Sequence, residues 1–359
     1  MSSSTAPPSR PLQVALIGFG AAGSLFHAPF IAATPGLQLA FIVTRDPAKV
    51  AMARAEYPGA ELCDAVADIW ARRDRVDLVV VAAPNAAHVP LATAAIEAGL
   101  PVVVDKPLAV TSADGRTLID LARDRGVLFS VFQNRRFDGD MRTLRTLLDE
   151  GALGQPVRFE SRFERWRLVP KPGWRQSGAP EDGGGLLVDL GSHLIDQALQ
   201  LFGPAATVYA ELDRRRPGVE VDDDAFVAIT HASGVRSHLW MSVLASQLGP
   251  RMRVLGTQAS YVKFGLDGQE DDLRAGLRPA GGDDWGVEPE DRWGTVGAGD
   301  DLRRVRTERG DYGLFYAGIE ASLRRGVPPP VDPVDSWQVL RIIEAARTAA
   351  AERRVVAAG

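Results

Sequence analysis

The sequence predicts an α/β unit with a parallel sheet, followed by an α+β unit with an open, largely antiparallel sheet. Strand and helix signals alternate through the first third of the chain, which is typical of a parallel sheet with helices on both faces. A glycine-rich turn follows the first strand signal. After about residue 135 the alternation stops, and successive strand signals are separated by turns.

Short apolar runs mark the strands of the first unit. The run at 77–83 is continuously apolar, as expected for a strand buried on both faces. The predicted strands are 12–17, 37–43, 60–63, 77–83, 101–104 and 127–132. Helical segments lie between them, for example 86–98 and 112–125.

The second unit begins with a helix at 139–150 and a long strand at 157–166. A helix within 186–202 comes next, because its apolar positions recur at helical spacing. Further strands are predicted at 207–212, 225–231, 235–244, 251–256 and 260–264, and late helices at 312–325 and 333–353. Residues 266–310 are rich in Gly, Asp and Arg, and we expect a long irregular excursion there.

These patterns predict four segments. Residues 1–10 form a disordered tail, 11–134 the dinucleotide-binding unit suggested by the glycine turn, and 135–332 a substrate and oligomerisation unit. A C-terminal helix, 333–359, returns towards the first unit.

Composition excludes several classes of function. The net charge of −5 disfavours binding to nucleic acid or to an anionic membrane. The apolar runs are far shorter than a membrane span, and the N-terminus lacks the apolar core of a signal peptide. The single cysteine, Cys63, excludes an internal disulfide framework and a cysteine metal cluster. We therefore expect a cytoplasmic protein.

The glycine-rich turn has the spacing of a dinucleotide-binding fingerprint. It reads Gly18-Phe19-Gly20-Ala21-Ala22-Gly23 and lies between a strand and a helix, which is the context that the fingerprint requires. The glycines allow a tight turn, close approach of a pyrophosphate, and close packing of helix on strand. The sequence therefore predicts a Rossmann unit, the alternative being a glycine-rich turn of another α/β protein.

The tip of the second strand favours NADP over NAD. An acidic residue there would bind the 2′-hydroxyl of NAD, whereas this chain carries Thr44 and Arg45. A guanidinium binds phosphate in bidentate fashion, which suits the 2′-phosphate of NADP. Asp46 is expected to cap the next helix, with Pro47 at its first position. The alternative is that Arg45 is a solvated surface residue, so NAD stays possible.

Asp189 and His193 lie four residues apart and are expected on one helix face. A carboxylate beside an imidazole raises its proton affinity, which prepares a general acid or base. The alternative is a solvated or structural pair. No further His or Cys lies nearby, so a zinc site is not expected.

Four motifs, in order, resemble the Gfo/Idh/MocA oxidoreductases. They are the glycine fingerprint, Ala83-Pro84-Asn85 with His88, Asp105-Lys106-Pro107, and Asp189-Leu-Gly-Ser-His193. Asp105 stands where the family has Glu, which keeps the charge. The residues around these motifs also resemble the NADP-dependent scyllo-inositol dehydrogenases within that family.

The resemblance implies hydride transfer between a nicotinamide and a secondary alcohol or ketone of a cyclic polyol or sugar. It implies that His193 is the proton acceptor assisted by Asp189, and that Lys106 donates to the substrate oxygen. It further implies cofactor contacts from Pro84, Asn85, His88 and Asp105, and a homodimer or homotetramer. Whether the Lys106–Pro107 bond is cis does not follow from the sequence.

Several candidates have a competing interpretation. His88 and Tyr312 could be structural, and His27 could pack or contact the cofactor. Asn134 and Arg135 are candidates for substrate binding, although Arg135 or Arg136 could instead form an interdomain salt bridge with Asp138 or Asp140. An aromatic and basic cluster could form part of the substrate site or a subunit contact. The cluster comprises Trp166, Arg167, Lys171, Trp174 and Arg175, and Trp174 is its main candidate for substrate binding.

Two other functions remain compatible with the sequence. One is a glycosidase that uses NAD for transient oxidation. The other is a non-catalytic sugar-sensing protein, against which the intact Lys106, Asp189 and His193 argue.

Overall fold

The protein is described by a computed structural model, which covers residues 10–170, 183–279 and 284–358. Two sheets organise these residues. The predicted N-terminal tail, apart from Arg10, lies outside the described residues, as do Lys171, Trp174 and Arg175 of the predicted aromatic and basic cluster.

The first sheet has six parallel strands in the order β3-β2-β1-β4-β5-β6. The strands are β1 Leu12–Ile17, β2 Leu37–Val43, β3 Glu61–Cys63, β4 Leu78–Val81, β5 Val102–Asp105 and β6 Phe129–Phe132. The helices are α1 Ala28–Ala33, α2 Pro47–Glu56, α3 Ala67–Trp70, α4 His88–Glu97 and α5 Ser112–Arg125. This is the predicted parallel Rossmann sheet.

Burial on both faces explains why these strands are continuously apolar. Val79 and Val81 belong to one core cluster, whereas Leu78 and Val80 belong to another on the opposite face of the sheet. All four side chains are fully buried. The order of strands places the carboxyl ends of β1 and β4 side by side, which is where ligands bind in such sheets.

The second sheet has nine strands in the order β14-β13-β12-β11-β7-β10-β9-β8-β15, and only β7 and β10 pair in parallel. Its strands are β7 Pro156–Glu164, β8 Ala205–Asp213, β9 Asp224–His231, β10 Arg236–Ser242, β11 Met252–Gly256, β12 Ser260–Lys263, β13 Gly294–Ala298, β14 Asp301–Val305 and β15 Val356–Ala357. The remaining helices are α6 Gly139–Asp149, α7 Ser192–Phe202, α8 Gln269–Arg274, α9 Gly313–Arg325 and α10 Pro333–Glu352. The predicted open, mostly antiparallel sheet is confirmed.

The prediction that residues 266–310 are irregular is wrong in part. Helix α8 and strands β13 and β14 fall in this segment, and they extend the sheet beyond β12. Four of the five residues of β14 are exposed, so this edge strand carries no apolar alternation that would have marked it.

Helix α10 contacts both units. Leu340 packs in the core of the parallel sheet, while Val339 and Ile343 pack in the core of the second sheet. Glu344 accepts hydrogen bonds from the backbone N–H and the hydroxyl of Ser112, at 2.7 and 2.6 Å. The helix therefore joins the two units on the side where α5 begins.

Candidate functional site

The glycine fingerprint forms an open backbone cradle after β1. Gly18 has φ +98°, and a Cβ there would lie 2.5 Å from the carbonyl oxygen of Ala82. A Cβ on Gly20 would meet no atom within 4 Å, so the space above it is open. The side chain of Phe19 turns away into the core, where its ring centroid lies 6.1 Å from that of Tyr57. Phe19 thus contributes backbone and packing, rather than a side chain, to the predicted cofactor site.

A cleft extends from this cradle along the carboxyl edge of the sheet. Its lining includes Gly18, Gly20, Thr44, Arg45 and Pro84. Asp46 caps α2, since its carboxylate accepts hydrogen bonds from the backbone N–H groups of Ala48, at 2.9 Å, and Lys49. Because that carboxylate is engaged, Thr44 and Arg45 are the polar side chains that the strand tip presents to the cleft.

A second cavity, of about 330 Å³, begins at Ala21 and Ala22 of the same loop and lies between the two sheets. One wall is the carboxyl edge of the parallel sheet, with Asp105 and Lys106 after β5. The opposite wall comes from β7 and from the segment that leads into α7. The two cavities meet at the glycine loop, so an extended dinucleotide would run from one into the other. The open space above Gly20 and the Arg45 guanidinium fit such a group, and Asp64 also lines the end of the cleft at Arg45.

Lys106 and Asp189 join the two walls. The Lys106 ammonium donates to the backbone oxygen of Asp189 at 2.7 Å and to its Oδ1 at 3.1 Å. The Lys106 side chain is 14% exposed, so it is held firmly and still faces the cavity. The Lys106–Pro107 peptide bond is cis.

His193 lies beside this pair, but the prediction that a neighbouring carboxylate raises its proton affinity is wrong. Burial, reinforced by the positive charges of Lys106 and Arg135, lowers the pKa of His193 well below its ordinary value. Residues 187–191 form a wide helical turn with i→i+5 hydrogen bonds before α7 begins. Such a turn alters the spacing expected of an α-helix, and Lys106, from a distant strand, binds the Asp189 carboxylate.

The neutral form of His193 is therefore the stable one at neutral pH. Its Nδ1 has no hydrogen-bond partner among the described residues, and the ring lines the cavity. A neutral imidazole facing a cavity can accept a proton there, as a general base must.

The sequence allowed either core packing or a cofactor contact for His27. The His27 side chain is fully buried. Its Nδ1 lies 2.5 Å from the hydroxyl oxygen of Tyr316, and its Nε2 lies 3.5 Å from Oδ1 of Asp105. Burial opposes ionisation of Asp105, but the interaction with His27 and the charge of Lys106 outweigh it and lower the pKa. His27 thus acts from behind the cavity, through Asp105.

Asn85 and His88 bind backbone carbonyls. The Nδ2 of Asn85 donates to Gly183 O at 3.3 Å, which ties β4's end to the second unit. The His88 ring is buried, with Nδ1 2.7 Å from Pro107 O and Nε2 2.9 Å from Ala83 O. With both nitrogens facing carbonyl groups, His88 has a structural role in place of the predicted cofactor contact.

Tyr312 was a predicted substrate-binding residue, but its side chain is fully buried and does not line the cavity. Its hydroxyl donates to Asp138 Oδ1 at 2.8 Å and accepts from Arg135 at 3.3 Å. Tyr312 therefore supports Arg135 and does not reach a ligand.

The two arginines after β6 have different surroundings. Arg136 forms a buried bidentate ion pair with Asp196, at 2.8 and 2.6 Å, and also binds Asp335 at 2.9 Å. Arg135 binds Asp138 and Glu270 and lines the cavity, as does Asn134. Arg135 thus forms the predicted ion pair with Asp138, and Arg136 pairs with Asp196, a partner that the sequence did not suggest.

Sequence reasoning missed several charged residues of the second wall. These residues are Arg165, Arg216, Asp222, Asp223, Glu270 and Arg274. They come from strand ends, loops and the short helix α8, where no extended periodic pattern marks a side chain as facing a ligand. Arg165 adjoins Trp166-Arg167 of the predicted basic cluster, which was the one available signal.

Within the ranges that the structure describes, no group of three or more His, Cys, Asp and Glu side chains could hold a metal ion. No helix there is both long and apolar enough to cross a bilayer.

A Rossmann cradle opening into a cavity with Lys, Asp and His side chains defines an NAD(P)-binding oxidoreductase. Residues 12–133 match the family described as "Oxidoreductase family, NAD-binding Rossmann fold", and residues 141–262 match "GFO/IDH/MocA C-terminal domain". The chain belongs to the Gfo/Idh/MocA family of oxidoreductases.

Relatives cover nearly the whole chain. The chain is 40% identical to the uncharacterized oxidoreductase YdgJ of Escherichia coli (strain K12), over 93% of this chain and 94% of YdgJ. It is 32% identical to scyllo-inositol 2-dehydrogenase (NADP(+)) IolW of Bacillus subtilis (strain 168), over 96% and 95% of the two chains. The solved structure of the YPO2259 protein of Yersinia pestis matches with a TM-score of 0.90, at 39% identity over 97% of each chain.

Proposed function

We propose that this protein is an NADP-dependent dehydrogenase or reductase acting on a secondary alcohol, or the matching ketone, of a cyclic polyol or sugar. The observation that carries the proposal is the placement of Lys106, Asp189 and His193 in one cavity that opens onto the glycine cradle. The similarity to a relative named as an NADP-dependent scyllo-inositol dehydrogenase supports the substrate class and the cofactor.

The residues that line the two joined cavities indicate which groups would bind the cofactor. The loop around Gly20 would receive the pyrophosphate, with Gly18 allowing the tight turn and Gly23 the close packing behind it, and Thr44 and Arg45 would bind the phosphorylated ribose. When bound, the nicotinamide exchanges a hydride with the substrate carbon. The remaining requirement is a proton exchange at the substrate oxygen, and the chain's own side chains supply it.

Lys106 is suited to bind that oxygen. An ammonium has three N–H donors, and two are directed at the oxygens of Asp189, which leaves one for a ligand in the cavity. A positive charge there stabilises negative charge that develops on the oxygen. Asp189 is a positioning residue for Lys106 in this arrangement.

His193 is suited to move the proton. Its lowered pKa keeps the ring neutral, so it accepts a proton from the hydroxyl during oxidation and returns it during reduction. Desolvation within the cavity makes the charged imidazolium costly, which favours rapid return of that proton.

The direct test is a substrate screen. Inositols, hexoses and their keto forms are incubated with NADP and with NAD, in both directions, and the absorbance of the reduced cofactor is followed. We expect turnover with at least one cyclic polyol or sugar, faster with NADP. Absence of turnover across the panel, with cofactor binding intact, would contradict the proposal.

The cofactor preference is tested by Arg45→Ala. Loss of the guanidinium should raise the KM for NADP by about tenfold or more, since a charge-assisted bond to phosphate is lost, and leave the KM for NAD nearly unchanged. Arg54→Ala, at an exposed position of α2, is the matched control. An unchanged ratio of the two KM values in Arg45→Ala would remove the argument for NADP.

A further inference from the structure

Among the described residues, six cationic side chains and five carboxylates line the cavity, so its positive charge exceeds its negative charge. Four of the lining cations are paired: Lys106 with Asp189, Arg135 and Arg274 with Glu270, and Arg216 with Asp223. Arg165 and Arg167 line the same cavity. Within the described chain, neither guanidinium makes a hydrogen bond or an ion pair.

The surroundings of Phe163 show how unusual Arg165 is. In the part of the chain that the structure describes, three guanidinium groups lie around this ring, those of Arg135, Arg165 and Arg251, at 5.1, 5.0 and 5.9 Å from its centroid. Arg135 binds Glu270, and Arg251 binds Gln197 and Ser161. Arg165 is the member of this trio that faces the cavity without an acceptor among the described residues.

Arg165 also lies near the groups assigned to the reaction. It is close enough to His193 for its charge to help lower the pKa of that ring. Burial lowers the pKa of Arg165 itself, while the charges of Glu270 and Asp189 oppose this shift. Partial removal of a cation from water without a partner is unfavourable, and an anionic ligand would offset that cost.

We propose that Arg165, assisted by Arg167, binds an oxyanion of the substrate, so that the sugar or polyol taken by this site carries a carboxylate or a phosphate. The inference rests on the proposed function for the identity of the cavity as the substrate site. It narrows the substrate class from neutral polyols to anionic ones. The oxyanion would lie on the side of the substrate that faces the end of β7, in the same cavity as Lys106 and His193.

The test measures binding, so it does not depend on turnover. Calorimetric titrations of the whole protein, with and without NADPH, compare glucuronate, glucose 6-phosphate and glucose at one ionic strength. NADPH cannot accept a hydride, so the hydroxyl groups of these ligands are not oxidised in the complex. Wild-type protein is compared with Arg165→Gln, with the charge-retaining Arg165→Lys, and with Arg236→Gln, a control at an exposed position of the neighbouring strand β10.

At least one of the two anions should bind about tenfold or more tightly than glucose, as expected for a charge-assisted hydrogen bond. Arg165→Gln should remove that advantage, Arg165→Lys should keep part of it, and Arg236→Gln should keep all of it. The stronger anion identifies the oxyanion as carboxylate or phosphate. An equal melting temperature for Arg165→Gln and wild type shows that the variant is folded. If Arg165→Gln is not folded, the comparison of wild type with Arg165→Lys decides the test.

Equal binding of glucose and both anions, or an undiminished anion advantage in Arg165→Gln, would overturn the inference. Oxidation of neutral polyols without any anion advantage would leave the proposed function in place and refute only the inference. An anion that binds through Arg165 but is never oxidised or reduced would support the ligand assignment and count against the proposed function.

Discussion

Two cation–carboxylate pairs lie near the junction of the two units of this protein, and they have the same chemistry in different surroundings. Lys106 and Asp189 meet at the cavity, where their side chains are 14% and 33% exposed. Arg136 and Asp196 meet behind it, where the side chains are 7% and 3% exposed. Arg136 also binds Asp335 on α10, so its guanidinium is shared by two carboxylates.

The difference teaches that burial, more than residue type, separates a structural ion pair from a candidate catalytic one. A fully buried pair has no room for a ligand, and removal of one partner leaves an uncompensated charge. A pair at a cavity keeps a donor for a ligand and tolerates loss of a partner, because water can solvate what remains. The two pairs should therefore respond in opposite ways to equivalent substitutions.

Arg136→Met should give the largest loss of stability. Asp196 would stay buried without its bidentate partner, at a cost of about 3–5 kcal/mol in the free energy of unfolding. Urea unfolding measures this loss, with Arg123→Met as the control, because Arg123 is 64% exposed in its pair with Asp120. A loss of less than about 1 kcal/mol in the free energy of unfolding of Arg136→Met would contradict the structural role of this ion pair.

His193→Asn should reduce turnover at least ~10²-fold if the ring performs acid–base work. Since the pKa of His193 lies below its ordinary value, the acid limb that it contributes to oxidation by the wild type should lie below pH 6.5. Initial rates across pH measure both effects, and His238→Asn on the second sheet is the control. Near-wild-type turnover in His193→Asn would show that the ring is not the proton acceptor.

The same lowered pKa predicts a smaller effect on stability. As the pH falls below 6.5, the unfolded chain binds a proton at residue 193 before the folded chain does. The free energy of unfolding should then decrease, by up to about 1.4 kcal/mol per pH unit from this group, until the folded-state pKa is reached. Urea unfolding at pH 7.5 and 5.5 should show a weaker pH dependence in His193→Asn than in wild type; equal dependence would mean that His193 protonates similarly in both states.

Tyr316→Phe should have the smallest effect. It removes the hydroxyl 2.5 Å from His27 Nδ1, at a cost of about 1 kcal/mol in stability, and turnover should fall by less than about tenfold because His27 acts only through Asp105. The matched control is Tyr209→Phe, whose exposed hydroxyl binds Glu211. A loss of turnover as large as that of His193→Asn would place His27 and Tyr316 in the catalytic machinery itself.

The part of the site that acts through its backbone, the glycine loop, was predictable from the sequence. The side chains that line the cavity were predictable only in part. Gly18 and Gly20 act through local conformation and space, so their spacing after β1 is sufficient to identify them. The parallel sheet follows from its apolar runs in the same way. Residue partners depend on tertiary contacts: the sequence paired Asp189 with His193, but Lys106, 83 residues away, binds that carboxylate.

The remaining differences have similar physical causes. His88 and Tyr312 carry polar atoms that suit a ligand, yet their partners are a backbone carbonyl and a carboxylate brought in from distant segments. Arg165 was not predicted as a cavity residue, because a single arginine at the end of a strand belongs to no periodic pattern. Strand β14 was missed because an exposed edge lacks the apolar alternation that identifies a strand, and β13 was missed because two of its five residues are glycines.

The central claim is that the cavity carrying Lys106 is a catalytic site and that its ion pair is not primarily structural. The most direct measurement is turnover and urea unfolding of Lys106→Met, with the best substrate of the screen and with NADP binding measured in parallel. We expect turnover to fall at least ~10²-fold, while the free energy of unfolding changes by less than about 1 kcal/mol and NADP still binds. Turnover within a few-fold of wild type would contradict the account.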